Sequence, residues 1–416
     1  MARTILFLAT SLWIQSIFSI AFAQNNRESK NLDKFNVAYQ YDQNVPMYCQ
    51  YRVAVGTAEA TVFLKVSQQS NEVGLNQIYY EVRPDYEKGD ILQSGELTNS
   101  QQVKAENNVS YYRFTIPITE ESDYVFIFLE GSFQGSELSY RYDIPLNNEL
   151  NFPLTDLLLM EENEEIPIFE SYLPQDKAFR LVAFYHQDAS QVFTYYYNHT
   201  FEPNPPPMAG ASADVQKSLQ IDSIFPVQLN QSISFEQEGL YFAQIDTTSL
   251  SGISFRITDK YYPRLVRAQE LIEPLRYIST SDEMDAMTEQ EDYKPALDRY
   301  WMKVTRSQER AKEVISNYYR QVSNANQLFT TYKEGWKTGQ GMVYLLYGPP
   351  DEVYRNAGEE RWIYNEESNL LESLSFTFVK VRNIFTNKHY NLIRDEDYRR
   401  FWYRNIDLWR KGRKQI

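Results

Sequence analysis

The chain has 416 residues, with 41 Lys and Arg against 56 Asp and Glu, a formal charge of −15 and a single cysteine, Cys49. So large an acidic excess argues against nucleic acid as a partner, because binding phosphate needs clustered cations. One cysteine excludes an intramolecular disulfide, and the length predicts two or three domains resting on ordinary hydrophobic cores.

Residues 1–23 carry one basic residue (Arg3), an apolar middle, and small residues at Ala21 and Ala23. This pattern predicts a secretory signal cleaved before Gln24. The expected protein is exported, and is periplasmic, outer-membrane-associated or secreted. No later apolar run approaches the ~20 residues of a spanning helix, so no transmembrane segment is expected after cleavage. Residues 24–34 are polar and read as a flexible leader. Cys49 reads as a buried thiol.

From 35 to 150 the chain alternates apolar and polar residues in short runs rich in Tyr, Phe, Val and Ile. The runs at 35–41, 60–66, 77–82, 111–116 and 123–131 read as strands of a first β-sandwich-like domain. A second such domain, 151–260, holds candidate strands at 178–185, 191–198, 232–237, 240–246 and 254–259. Near Tyr261 the period changes to 3.6. Thr280 with Glu283, and Thr305 with Gln308, have the spacing of capping boxes. Ala311, Val314, Ile315, Tyr318, Val322, Ala325 and Phe329 then form the apolar stripe of a helix of about five or six turns. This helical region continues into a small αβ module ending at 393, and a basic tail occupies 394–416. The fold class is therefore multidomain and mainly β with an α+β C-terminal part. It comprises two β-sandwich-like modules, a helical linker region, and a helix hairpin with an antiparallel sheet.

In the αβ module, Gly335-Trp336 reads as the end of the long helix, the glycine suiting a left-handed cap. Gly341 opens a predicted strand over 342–347, and Gly348-Pro349-Pro350-Asp351 closes it. Trp362-Ile363-Tyr364 and 375–382 read as the next strands. The run Gly335-Trp336-Lys337-Thr338, followed by these pieces, resembles the GWxTD-domain proteins, an exported family found mainly in Bacteroidota-type bacteria. The resemblance implies a folding signature built on Gly335, Trp336, Thr338, Gly341, Gly348, Pro349, Pro350, Asp351, Trp362 and Tyr364. It implies no activity, since none is established for the family. The chain departs from the family in having Gly339 and Gln340 where Asp and Arg are usual. We read Gly339 as supplying turn backbone without a side chain.

Catalytic or metal-binding constellations are not expected. His186, His199 and His389 stand in three separate segments, no Cys pair exists, and no phosphate-cradling loop is recognisable. Glu161, Glu162, Glu164 and Glu165 read as a solvated edge. The expected cofactor is none, and the expected role is non-enzymatic: a protein-binding scaffold or accessory subunit of an envelope assembly or transport machine. The alternative is a carbohydrate- or peptide-binding module of a degradative or uptake system, and a third reading is a hydrolase using surface carboxylates. Two sets of residues are candidates for contact with a protein partner, a glycan or a membrane surface. Tyr195 and Tyr197 share one strand face. Phe401 and Trp402, amid Arg399, Arg400 and Arg404, form either a docking segment or a helix folded onto the chain's own acidic body.

Overall fold

The computed structural model describes residues 31–87, 89–146, 153–210, 219–365 and 373–414. The predicted signal at 1–23, and the predicted leader up to residue 30, lie outside the described residues. The leader's end is anchored rather than free: Leu32 is buried, and its N–H donates to the Tyr86 carbonyl at 2.6 Å.

The first β module is a sandwich. Strands β1 (Met47–Val55), β2 (Glu59–Gln68), β3 (Gly74–Arg83), β4 (Gln93–Leu97), β5 (Gln102–Glu106), β6 (Val109–Pro117), β7 (Tyr124–Phe133) and β8 (Ser136–Pro145) form two antiparallel sheets. Their orders are β1-β2-β6-β5 and β4-β3-β7-β8. Alternate residues of each strand point between the sheets, where Val62, Leu64 and Ile116 meet Ile78, Val125 and Ile127. Cys49 is buried there as a free thiol, as its reading predicted, and burial pushes its pKa up.

The second β module contains β9 (Leu157–Glu161), β10 (Tyr172–Pro174), β11 (Phe179–Ala183), β12 (Gln191–Tyr197), β13 (Ser223–Gln228), β14 (Gly239–Gln244) and β15 (Ile253–Thr258). Five of them order as β10-β15-β14-β12-β13, and β9 pairs with β11. Phe179, Leu181, Val192, Tyr241 and Phe255 fill the space between the two layers. Residues 232–237 are not a strand. Ile233 exchanges one pair of backbone bonds with Phe179, after which Phe235 turns its ring onto Phe179, Tyr241 and Phe255.

The C-terminal part holds α1 (Ala268–Ile272), α2 (Ser281–Thr288), α3 (Tyr293–Thr305), α4 (Gln308–Phe329) and α5 (Gly339–Tyr347). The antiparallel sheet β16 (Glu352–Arg355), β17 (Glu359–Asn365), β18 (Ser373–Lys380) and β19 (Tyr390–Leu392) follows, and α6 (Tyr398–Arg410) comes last. The capping box at Thr280 and Glu283 is present. The second predicted box is not. Thr305 is the last residue of α3 and donates back to the Trp301 carbonyl, Arg306 takes the left-handed cap, and Ser307 caps α4 by accepting from the Arg310 N–H. The predicted stripe of α4 is buried apart from a half-exposed Ile315.

Three further expectations are corrected. Residues 35–41 are not a strand: Ala38–Tyr41 form a 3-10 turn. The segment's apolar residues, Val37 and Tyr41, are drawn into the C-terminal core, with the Val37 N–H on the Val353 carbonyl at 2.9 Å. Residues 342–347 are helical: Thr338 caps the segment, and every residue of α5 is buried, so an all-apolar run carried no period to tell strand from helix. Helix α4 ends at Phe329, not at Gly335-Trp336, which form a separate 3-10 turn.

Candidate functional site

Most of the predicted motif residues are internal packing devices. Trp336 is buried; its backbone N–H donates to Asn326 Oδ1 at 3.2 Å and its ring meets Tyr277 edge-on. Gly335 is not a left-handed cap. It is glycine because a Cβ would stand 2.0 Å from the Ala325 carbonyl oxygen on α4. Gly341 is constrained in the same way, at 1.9 Å from the Gly335 oxygen. Thr338 joins the two turns, donating to the Gly335 carbonyl and accepting from the Gly341 N–H. At Gly348 the backbone turns to φ 86°, a conformation that favours glycine. Pro349 and Pro350 follow, and proline cannot extend a helix. The exposed Asp351 accepts from the Asn365 N–H, pinning the start of β16 to the end of β17. Tyr364 donates to the Gly348 carbonyl at 2.9 Å.

Trp362 leads to a polar centre that the sequence did not announce. Its indole N–H donates to Glu360 Oε1 at 2.6 Å, and Tyr41 also donates to that oxygen. Arg355 donates to Glu360 Oε2 at 3.0 Å, Asp143 Oδ1 at 2.7 Å, Tyr41 Oη at 2.7 Å and Gln40 Oε1 at 3.0 Å. Tyr86 closes the set by donating to Asp143 Oδ2 at 2.8 Å. Burial alone would raise the Asp143 carboxyl, but Arg355 and Arg141 outweigh it and hold its pKa below the usual range. One guanidinium thus ties β16 to β8 of the first β module and to the 38–41 turn.

Beside this network lies a cavity of about 680 Å³ at the meeting of β1, β19, the 385–389 loop and the N-terminus of α5. Six cations and four carboxylates line it (Arg52, Lys65, Lys333, Arg355, Lys380 and Lys388 against Asp42, Asp143, Glu170 and Glu360). That balance is opposite in sign to the whole chain's −15. Lys388 is exposed at the cavity wall, and desolvation by the protein crowded around it pushes its ammonium down to about 8. Burial does the same to Lys333 and Lys380. It pushes the His389 imidazole down to about 4, with a smaller contribution from Lys333. Thr338, Gly339 and Gln340 line the same space, so the departure from the family motif falls on the cavity wall. Gly339 is the first residue of α5 with an ordinary φ, so conformational freedom does not explain it. A Cβ there would stand 3.0 Å from the Asn204 side-chain amide.

The candidate partner residues separate. Tyr197 is buried beneath Phe385, with Leu240 and Phe242 beside it, so its ring faces the chain's own C-terminal part. Tyr195 is half-buried at the rim of the same face, opposite Ile224 of β13, which is 55% exposed. Trp402 is buried in the C-terminal core and Phe401 packs partly against it. Arg399 pairs with Glu396, while Arg400, over the Phe401 ring, and Arg404 are exposed. The tail is therefore a helix folded onto its own body. Trp409 donates to the Leu346 carbonyl at 3.0 Å, and Arg410 grips Glu283 with two nitrogens. Glu161, Glu164 and Glu165 each pair with a lysine or arginine, and Glu162 accepts from Ser232. No metal-binding group is found among the described residues.

A two-layered β body capped by an αβ module, with glycines and indoles of the motif wedged between helices, defines a domain organised for packing. Residues 239–411 match the GWxTD domain, so the chain carries that domain over this stretch. The match begins in β14, so it takes in two strands of the second β module, and it ends just past α6. No curated protein matches the chain. Among the described residues no helix is long and apolar enough to cross a membrane.

Proposed function

We propose that the protein is an exported, non-enzymatic component of the cell envelope, a scaffold or accessory subunit that presents its β modules to a protein partner. The observation that supports this reading is Arg355, which fastens β16 of the C-terminal part, whose core Trp336, Trp362 and Trp402 fill, to Asp143 of the first β module. A rigid frame of this kind suits holding more than chemistry. The surface proposed for the partner is the β13 edge, which pairs on one side only among the described residues and exposes Ile221 and Ile224 beside Tyr195. A partner strand could extend this edge through backbone bonds. Affinity purification of the full chain from native envelope tests the proposal. A reproducible protein partner lost in Ile224→Lys supports it. A strictly monomeric protein, or a partner indifferent to that substitution, contradicts it.

A second reading, that the protein also holds a saccharide or peptide, is favoured by one observation, the junction cavity. Its volume falls within the ~300–1,000 Å³ of small-molecule sites.

A further inference from the structure

The cavity's charge is not the arrangement this acidic chain uses elsewhere. On its surfaces lysines stand against carboxylates: Lys104 holds Glu106 and Glu164, Lys177 holds Glu161, and Lys411 holds Asp407. In the cavity Arg52, Lys333 and Lys388 are in no ion pair among the described residues, because the carboxylates are engaged elsewhere. Asp143 and Glu360 are both taken by Arg355, and Glu170 lies 3.8 Å from Lys65. Among the described residues Arg52 donates to the carbonyls of Ile168 and Tyr51. Lys333 donates to the Glu202 carbonyl and the Asn204 side-chain oxygen. Lys388 has no carboxylate within ion-pairing distance among the described residues, and its ammonium stands 5.0 Å over the Tyr51 ring. Cations that protein desolvates, fully at Lys333 and in part at Arg52, cost free energy unless an anion meets them. An arrangement that leaves several without one is complementary to a ligand that brings the anion.

We propose that the junction cavity binds an anionic saccharide, a short sugar chain bearing carboxylate or phosphate groups. Lys388, Arg52 and Lys333 meet the charge, and the apolar faces of the rings pack on Tyr51 and Tyr390. The tyrosines and the amide of Asn387 beside Lys388 distinguish this lining from a simple ion trap. They offer flat apolar surface and hydroxyl-matching donors together. The inference rests on the ligand-holding reading above and adds the sign of the ligand. Gly339 contributes by what it lacks: a carboxylate at that position would stand beside Asn204 and within the reach of Lys333.

Titration calorimetry of the full chain with trigalacturonate, maltotriose and triglutamate tests this. Saturable binding of trigalacturonate is expected, with maltotriose silent. Affinity should fall about tenfold or more in Lys388→Gln, the loss expected for one charge-assisted contact. A similar fall is expected in Gly339→Asp, which adds a carboxylate while keeping every cation. An unchanged thermal melt in either variant keeps the reading independent of folding. Equal binding of maltotriose would overturn the anionic inference while leaving a ligand-holding cavity. Binding of triglutamate alone would replace the saccharide with an acidic peptide. Binding of none of the three would remove both readings.

Discussion

Arg355 of β16 and Asp143 of β8 lie 212 residues apart in sequence and 2.7 Å apart in space. The pair links the αβ module to the first β module and is 11% exposed on each side. Replacing Asp143 with Ala leaves Arg355 facing Glu360 alone and frees the Tyr86 hydroxyl. Breaking a buried pair from one side costs ~3–5 kcal/mol. Urea denaturation of Asp143→Ala should show a loss near the lower end of that range, and an unchanged midpoint would mean that the pair is not buried in solution.

The motif's packing role is measurable separately. Trp336→Ala should cost ~3–5 kcal/mol, as expected for emptying a buried aromatic site. Gly341→Ala forces a methyl onto a backbone carbonyl 1.9 Å away and should cost at least ~2 kcal/mol by overpacking. Thr338→Ala removes a cap and should cost ~1 kcal/mol. Thermal melts that failed to rank Thr338→Ala as the mildest would contradict this assignment.

How much of this was legible follows from the range of each interaction. Period-two runs located β2, β3, β6, β7, β11, β12, β14 and β15, about half the strands of the two β modules, and the 3.6-residue stripe located α4, because each signal is contained in one segment. The run Met342–Tyr347 was misread because six apolar residues in succession have no period; only the Thr338 cap reveals the helix. Glu360 was half legible, since alternation places it on the buried face shared with Trp362 and Tyr364. Its partners Tyr41 and Arg355 could not be paired from sequence, nor could Lys388 with Tyr51. Those contacts depend on how three modules come together, which no local pattern records.

Acid should loosen the C-terminal part. Hydrogen bonds from Arg410 lower the Glu283 carboxyl to about 2, against the ordinary 4.5 of an unfolded chain. Its contribution is full above pH 4.5 and is lost as pH falls toward 2. His389, pushed down to about 4 by burial, stays neutral when folded while the unfolded imidazole takes a proton below about 6.5. The unfolded state therefore binds more protons between these values, and stability falls as pH drops from 6.5 to 4. Urea midpoints should decline across that window and decline less in His389→Phe. A flat profile from pH 7 to 4 would count against a buried neutral His389.

The closing helix should be structural. Trp409→Ala, which empties a buried site and removes the bond to Leu346, should cost ~3–5 kcal/mol. Arg399→Ala, at an exposed pair, should change the melt by less than ~1 kcal/mol. The reverse ranking would favour a tail that acts on another molecule rather than on its own body.

The central claim is that buried contacts lock the αβ module to the β body as one frame. Apart from Trp13 in the predicted signal, every tryptophan (Trp301, Trp336, Trp362, Trp402 and Trp409) lies in the C-terminal part. Fluorescence therefore reports that part alone, while far-ultraviolet circular dichroism reports strands throughout. The decisive measurement is urea unfolding of the chain lacking residues 1–23, followed by both signals, with and without Arg355→Met. Coincident transitions that separate in the variant are the predicted result. Transitions already separate in the unaltered chain, or coincident in both, would contradict the account.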